Sequence, residues 1–434
     1  MRLVHFSDLH IGIENYGRPA TEADLAGLPE WFAPGEDRER YLGHSTRLLD
    51  FLSAFDELVA YTLANDVDLV MFSGDAYKNR EPSQTHQREF AKRIARLAAA
   101  NLPVFLLVGN HDLPHVVHKA SAVEIFETLS VPQVTVGERL QTYRIETPNG
   151  PIQILALPWI RRSAFLARDD VRNLPFKQIN ELLEERLTAR LQDEGEALDP
   201  TLPSVVSAHV SLDTAKIGTE RTMMIGHDHL LLQGNLTKLP VDYIGLGHIH
   251  RRQELAQHPP TIYPGSLQRV DFGEEDHEAK GFYVVDLDPA ALAGSRVTSA
   301  EFHPVDARSF VSVNVTAEEG DLDPTDKVVR AVRRHHVGGA IVRVQVTLPA
   351  AIAPAFRERD VREALQEQGA HSIAAITTDV ERATRVRLGA IHSEAKSPLE
   401  LLDFYLETSE VSKTRAKKLT TYARRLMDEL EDKD

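Results

Sequence analysis

Short apolar runs, each closed by a carboxylate, an amide or an imidazole, alternate with helical stretches through residues 1–290. This alternation constrains the fold more than any other feature. The runs are "RLVHFSD" (2–8), "VDLVMFSGD" (67–75), "PVFLLVGN" (103–110), "IQILALP" (152–158), "SVVSAHV" (204–210) and "VDYIGLGHIH" (241–250). Helical stretches are predicted over Leu42–Asn65, Gln84–Asn101 and Lys177–Glu194. Strands interleaved with helices in this way predict a layered α/β domain.

The rest of the chain has a different pattern. Residues 300–390 predict a compact βαβαβ unit, a small α+β cap, from "SFVSVNVTAE", "PTDKVVRAVRRHH", "AIVRVQVTLP", "RDVREALQEQG" and "HSIAAITTDV". Residues 396–434 predict a helix pair. Ser397 with Glu400 makes a capping box with Pro398 at the first helical position, and Leu419, Tyr422, Ala423, Leu426 and Leu430 recur at helical spacing. Two readings stay open for this pair: packing back on the cap, or docking a partner's helix. "GRPATEADLAGLPEWFAPGED" (17–37), within an insertion at 14–41 before the first helix, is expected to be a Pro/Gly-rich acidic loop, and its Trp31 and Phe32 either anchor it or present a surface.

Length and composition set broader bounds. At 434 residues, two or three domains are expected. Zero cysteines exclude disulfides, thiolate metal sites and cysteine nucleophiles, and fit a reducing compartment, so the cytoplasm is the expected location. No apolar run approaches the roughly 18 residues of a membrane helix, and "MRLVHFSDLH" has no leader pattern. A net charge of −16 argues against indiscriminate coating of nucleic acid. It leaves a local site open, since bound divalent cations reverse the field where they sit.

The strand ends gather Asp8, His10, Asp75, Asn110, His111, Asp112, His209, His248 and His250. Open α/β sheets place their sites at the carboxyl ends of strands. In an extended chain, residues i and i+2 share a side, so Asp8 with His10, and His248 with His250, can each aim two donors at one place. Oxygen and nitrogen donors without sulfur suit Mn²⁺, Fe²⁺ or Zn²⁺. Seven candidate ligands exceed the needs of one tetrahedral ion, whereas two ions sharing a carboxylate would use all of them. Glycines before Asp75, Asn110 and His248 are expected to permit tight turns and close approach of a substrate. Each motif alone has a plainer explanation, as a surface D-x-H or H-x-H, a G-D turn or an Asx turn. Their ordered co-occurrence favours the site.

In that order, "DLH", "GD", "GNHD", "AHVS" and "GHIH" resemble the calcineurin-like metallophosphoesterase superfamily. The stretch "YPGSLQRVDFGEEDHEAKGFYVVDL" (263–287) resembles the linker of SbcD-type nucleases, the bacterial counterparts of the nuclease subunit in archaeal and eukaryotic double-strand-break repair complexes. The resemblance implies an αββα-type layered domain holding two Mn²⁺, with Fe²⁺, Mg²⁺ or Zn²⁺ as alternatives. It places Asp8, His10, Asp75 and His250 on one ion and Asp75, Asn110, His209 and His248 on the other. His111 would assist at the scissile phosphate, with Asp112 either orienting it or capping the turn. The implied activity is 3′→5′ exonuclease cleavage of duplex ends and endonuclease cleavage of single strands and hairpins. The implied assembly is a homodimer whose residues 396–434 dock an SbcC-type coiled-coil ATPase, in a nucleoid-associated cytoplasmic location. A small-molecule or nucleotide phosphodiesterase is the alternative function, and a degenerate binding scaffold would require missing ligands. His227 and His229 form a second H-x-H, expected in a loop near the DNA path. His335 and His336 are expected on a solvated face, and "KTRAKKLTTYARR" carries six basic residues suited to flanking a protein groove.

Overall fold

A computed structural model describes residues 1–114, 116, 119–161, 174–216, 230–274, 278–381, 399, 402, 406 and 413–431. His227 and His229, and the capping residues Ser397, Pro398 and Glu400, lie outside these. The chain divides into two compact units. The larger comprises 1–311 with 337–342 and 370–374, and the smaller comprises 312–336, 343–369 and 375–434.

Two six-stranded sheets build the larger unit. The first contains β1 (Arg2–Phe6), β2 (Leu69–Phe72), β3 (Val104–Leu107) and β4 (Val134–Gly137), all parallel, with β13 (Gly281–Leu287) antiparallel to β1 and β14 (Val297–Pro304) outside it. The second runs β11 (Gln253–Gln257), β12 (Pro260–Tyr263), β10 (Tyr243–Gly247), β7 (Ser204–His209), β6 (Gly150–Leu157), β5 (Gln141–Thr147). A short parallel pair, β8 (Ser211–Leu212) with β9 (Leu230–Leu231), stands apart from both. The central parallel strands are wholly buried, which is why they are continuous apolar runs such as "LVMF" and "VFLL".

Side-chain alternation divides the core into layers. Leu3, Leu69, Met71, Phe105 and Leu107 of the first sheet meet Ile152, Ile154, Val205, Tyr243 and Ile262 of the second. On the first sheet's other face, Val4, Phe6, Val70 and Phe72 pack against Phe55, Leu58, Phe90 and Ile94 of helices Thr46–Ala64 and Gln84–Ala99. On the second sheet's other face, Leu155, Val206, Ile244 and Leu246 pack with Leu191 of helix Phe176–Glu196. The order is helix, sheet, sheet, helix, so the expected layered α/β fold is what forms.

Two expectations need correction. The stretch 263–287, read as resembling a linker, is not connection throughout: its last seven residues are β13, hydrogen-bonded beside β1 inside the first sheet. Residues 14–41 are not a plain loop either. Thr21 and Asp24 form a capping box on the short helix Glu22–Ala26, and Phe32 is fully buried against Tyr41. Asp56 Oδ2 accepts from the Ala33 amide at 3.0 Å and Tyr41 Oη donates to Glu89 at 2.8 Å, which ties the segment to both long helices.

Five elements follow in βαβαβ order, with most of their residues in the smaller unit: β15 (Phe310–Thr316), helix Pro324–Arg334, β16 (Ile341–Pro349), helix Glu358–Glu367 and β17 (Ser372–Glu381), with β16 central in the sheet. Val313, Val344, Val346, Val328, Val332, Val361 and Leu365 are among the smaller unit's buried residues. His335 and His336 are exposed. Helix Lys413–Glu431 leaves Leu419 41% and Tyr422 65% exposed.

Since Phe32 is the buried apolar anchor of the 14–41 segment, Phe32→Ala should destabilise the larger unit by about 3–5 kcal/mol, the cost of a buried phenyl cavity. Denaturant unfolding compared with wild type measures this. A change under about 0.5 kcal/mol would mean the segment is not anchored there.

Candidate metal centre

The carboxyl ends of β1, β2 and β3 lie beside those of β7 and β10, and the backbone there departs from strand geometry. Asp8 (φ 53°), His10 (φ 47°), Asp75 (φ 64°) and His248 (φ 96°) all occupy the left-handed region. Side-chain-bearing residues rarely adopt it, and such strain collects at functional sites. Convergence of Asp8 with His10 therefore comes from left-handed turns rather than from i, i+2 strand alternation. Cross-links hold these turns. The Asp8 amide donates to Gly74 O at 3.0 Å, the His10 amide to Asp75 O at 3.1 Å, and the His248 amide to both Asp8 oxygens at 3.1 Å.

Two of the glycines serve close packing between protein groups rather than substrate approach. A Cβ on Gly109 would sit on the Asp75 carboxylate and amide, and one on Gly247 would sit on the Ser73 carbonyl.

Seven candidate ligands come together. Asp8, His10 and His250 form one buried group, Asp75, His209 and His248 another, each with its donor atoms within 4.8 Å of one another. Asp75 Oδ2 lies 3.3 Å from His209 Nε2 and 3.7 Å from His10 Nε2, so one oxygen faces both groups. His10 Nε2 is 2.9 Å from His250 Nε2 and 3.9 Å from Asp8 Oδ1. Asn110 Oδ1 lies 2.9 Å from His209 Nε2 and 3.1 Å from His248 Nδ1.

This donor set fits two divalent cations. Asp8 and Asp75 are buried together, and buried carboxylates require a compensating charge. His10 Nδ1 is buried and lacks a hydrogen-bond partner among the described residues. Burial pushes the Asp8 carboxyl above its ordinary range. Burial acts on Asp75 in the same direction, but His209 and His111 outweigh it and hold that carboxyl well below. Burial would lower His209, and Asp75 instead lifts it to about 9. Cations bound here would supply that positive charge and leave the imidazoles neutral.

Outer contacts fix the ligand rings. His209 Nδ1 donates to Ser73 O at 2.7 Å, and His250 Nδ1 lies 3.1 Å from Glu274 Oε1. Glu274 also accepts from Ser266 Oγ at 3.0 Å and pairs with Lys280, whose Nζ donates to His250 O at 3.0 Å. Burial would raise the Glu274 carboxyl, yet Lys280 and His250 draw it down to about 2. Sequence reasoning missed Glu274, which sits among several acids in "DFGEED" with nothing local to single it out.

His111 and Asp112 separate in role. The His111 amide donates to Asp75 Oδ1 at 2.8 Å and its Nδ1 to Lys78 O at 2.7 Å. The ring stands 4.9 Å from that of His10, near enough to group with His10 and Asp75 as a candidate ligand. Asp112 accepts from the amides of Asp75 (2.9 Å), Ala76 (2.9 Å) and Gly109 (3.0 Å). Of its two expected roles the geometry matches capping the turn; the His111 ring is held by the Lys78 carbonyl instead.

Adjacent buried groups of carboxylate and imidazole, at the strand ends of a layered α/β unit, provide the donors that a metal-dependent hydrolase uses. The chain belongs to the calcineurin-like phosphoesterase family, whose pattern matches residues 1–252 and so includes every candidate ligand. Similar curated proteins include the SbcD component of the SbcCD nuclease of Rhodobacter capsulatus, 27% identical over 274 residues, with 59% of this chain and 59% of that protein covered. The DNA double-strand break repair protein Mre11 of Thermoplasma acidophilum is 22% identical, with 69% of this chain and 66% of that protein covered. The Mre11 protein of Haloferax volcanii is 24% identical over 437 residues, with 92% and 82% covered. The chain therefore spans less than two thirds of the length of the first two.

If Glu274 orients His250, Glu274→Gln should weaken binding of the first divalent ion about 10–100-fold, as loss of a ligand's outer partner commonly does. Calorimetric titration of the metal-free protein with Mn²⁺ measures it. Unchanged affinity in a folded variant would reduce Glu274 to a structural partner of Lys280.

Proposed function

We propose that the chain is the metal-dependent nuclease subunit of a DNA double-strand-break processing system, with 3′→5′ exonuclease activity on duplex ends and endonuclease activity on single strands and hairpins. The observation that carries this is Asp75 Oδ2, placed between His10 and His209 in a family whose similar members at 22–27% identity are named as nucleases and break-repair proteins. Asp8, His10, Asp75 and His250 would hold one ion, and Asp75, Asn110, His209 and His248 the other, with Mn²⁺ favoured over Fe²⁺, Mg²⁺ or Zn²⁺. Bound there, the pair would supply Lewis acidity and a nucleophile at neutral pH for in-line displacement at a phosphodiester.

His111 is assigned the proton. Its Nδ1–H is committed to the Lys78 carbonyl, so Nε2 is the atom that meets a phosphate or leaving oxygen. Burial lowers the His111 pKa, with Asp75 opposing, so the protonated form depends on negative charge arriving with the substrate. Asp112 acts through the backbone, holding the Asp75 and Gly109 turns in register.

The exposed Leu419 and Tyr422 support docking of residues 396–434 on an SbcC-type coiled-coil ATPase. Homodimerisation through the larger unit completes the proposed assembly. No described helix is long and apolar enough to cross a membrane.

The test is Mn²⁺-dependent cleavage of blunt duplex and hairpin DNA, with and without the ATPase and ATP. Intact DNA in every condition overturns the nuclease reading. Turnover of cyclic nucleotides or bis(p-nitrophenyl) phosphate alone would select the small-molecule phosphodiesterase instead. His111→Ala should retain two bound ions and lose about 10²–10⁴-fold in rate. Loss of an ion would make His111 a ligand.

A further inference from the structure

A cavity of about 280 Å³ opens beside the metal centre and shares a wall with it. Strand β6 ends at Leu157 and leads through Pro158 to Trp159, and helix Phe176–Glu196 contributes Asn180, Leu183 and Leu187 to the lining. His209, a candidate ligand, contributes to the lining. The Trp159 ring stands 5.0 Å from the His248 ring at 38° and 6.2 Å from His209, so one indole borders both the centre and the cavity. A group bonded to a phosphate held at the centre has this cavity within reach.

The lining specifies the chemistry of an occupant. Leu157, Leu183, Leu187, Val210 and Leu231 make the walls apolar, and Trp159 adds an aromatic face. Asn180 interrupts them, with a buried carbonyl oxygen that has no hydrogen-bond partner among the described residues. A buried acceptor left unmatched is costly, and an N–H from an occupant would satisfy it. Among the described residues the lining contains no lysine or arginine, while Glu181 and Glu184 repel phosphate. The site therefore suits a flat, largely apolar ring bearing an N–H donor, and excludes a second phosphate. Its volume accommodates one such ring and is at the small end for ligand sites.

We propose that the Trp159–Asn180 cavity is a nucleobase subsite. It receives the unpaired base of the nucleotide whose phosphate lies at the metal centre, with the ring on Trp159 and an exocyclic amine donating to Asn180 Oδ1. The inference rests on the phosphodiesterase reading of the adjacent centre. Taking a base out of its stack costs least where it is already unpaired, and stacking on an aromatic side chain offsets the loss. The subsite thereby favours frayed ends and loops over closed duplex.

The test compares deoxyadenosine 5′-monophosphate with deoxyribose 5-phosphate on the full Mg²⁺-loaded chain. The sequence holds two tryptophans, so in a Trp31→Phe background indole emission reports Trp159 alone. The nucleotide should change the emission and bind at least tenfold more tightly by calorimetry than the sugar phosphate. Asn180→Leu, which removes the acceptor, and Leu187→Phe, which fills the cavity, should each erase most of that difference while leaving sugar-phosphate affinity in place. Equal affinities and emission changes for the two ligands, or wild-type base preference in both folded variants, would overturn the subsite. Turnover of bis(p-nitrophenyl) phosphate is measured on the same protein loaded with Mn²⁺. Its absence alongside base-dependent binding would overturn the phosphodiesterase reading and not the cavity.

Discussion

The Asp75 carboxylate is the point on which the site depends. It is buried, it sits on a left-handed residue, and one of its oxygens faces imidazoles from both ligand groups. Neither the conformation nor the buried charge is stable alone. Asp112 stabilises the conformation through three backbone amides, and the absence of a side chain at Gly109 leaves room for the carboxylate. The charge is offset in the protein itself by His209 and His111, and would be offset more fully by divalent cations.

That arrangement explains why the two sheets must be stacked with their carboxyl ends aligned. Asp8 on the first sheet accepts the His248 amide on the second, and Ser73 on the first receives His209 Nδ1 from the second. Gly247 lets these edges close to backbone contact. Neither Asp8–His10–His250 nor Asp75–His209–His248 lies on one sheet alone, so the inter-sheet core built on Met71, Phe105, Val205 and Tyr243 sets the distances between their donors. Packing precision there becomes coordination geometry at the edge.

Much of this is legible in the sequence, for a physical reason. Strands buried on both faces must be apolar throughout, so β1, β2, β3, β6, β7 and β10 stand out as runs, and their polar ends mark the site by contrast. Edge and partly exposed strands carry no such signature. "QELAQ" of β11 and "VTSAEFHP" of β14 are half-exposed and look like loop, and β13 lies inside a stretch that resembles a linker. At the site, residue types are readable but the backbone is not. Nothing in "SDLH" announces two left-handed residues, and only the fold reveals that Asp112 serves amides 36 and 37 residues earlier. Glu274 is a similar case, since its partner His250 becomes a neighbour only when β13 returns to the first sheet.

Charge distribution carries the functional reasoning one step further. A chain of net charge −16 cannot attract a polyanion by its overall field. For a polyanionic substrate, attraction would come from where the sign is reversed, at a centre that would concentrate divalent cations against Asp8 and Asp75. Beside that centre the lining changes from ionic to apolar within the width of one indole, with Glu181 and Glu184 repelling phosphate from the cavity. On the proposed reading, a phosphodiester would be drawn to a single place with its charge on the ions and its base directed away from them. Positioning of this kind lowers the entropy cost of an in-line reaction without requiring a broad basic surface.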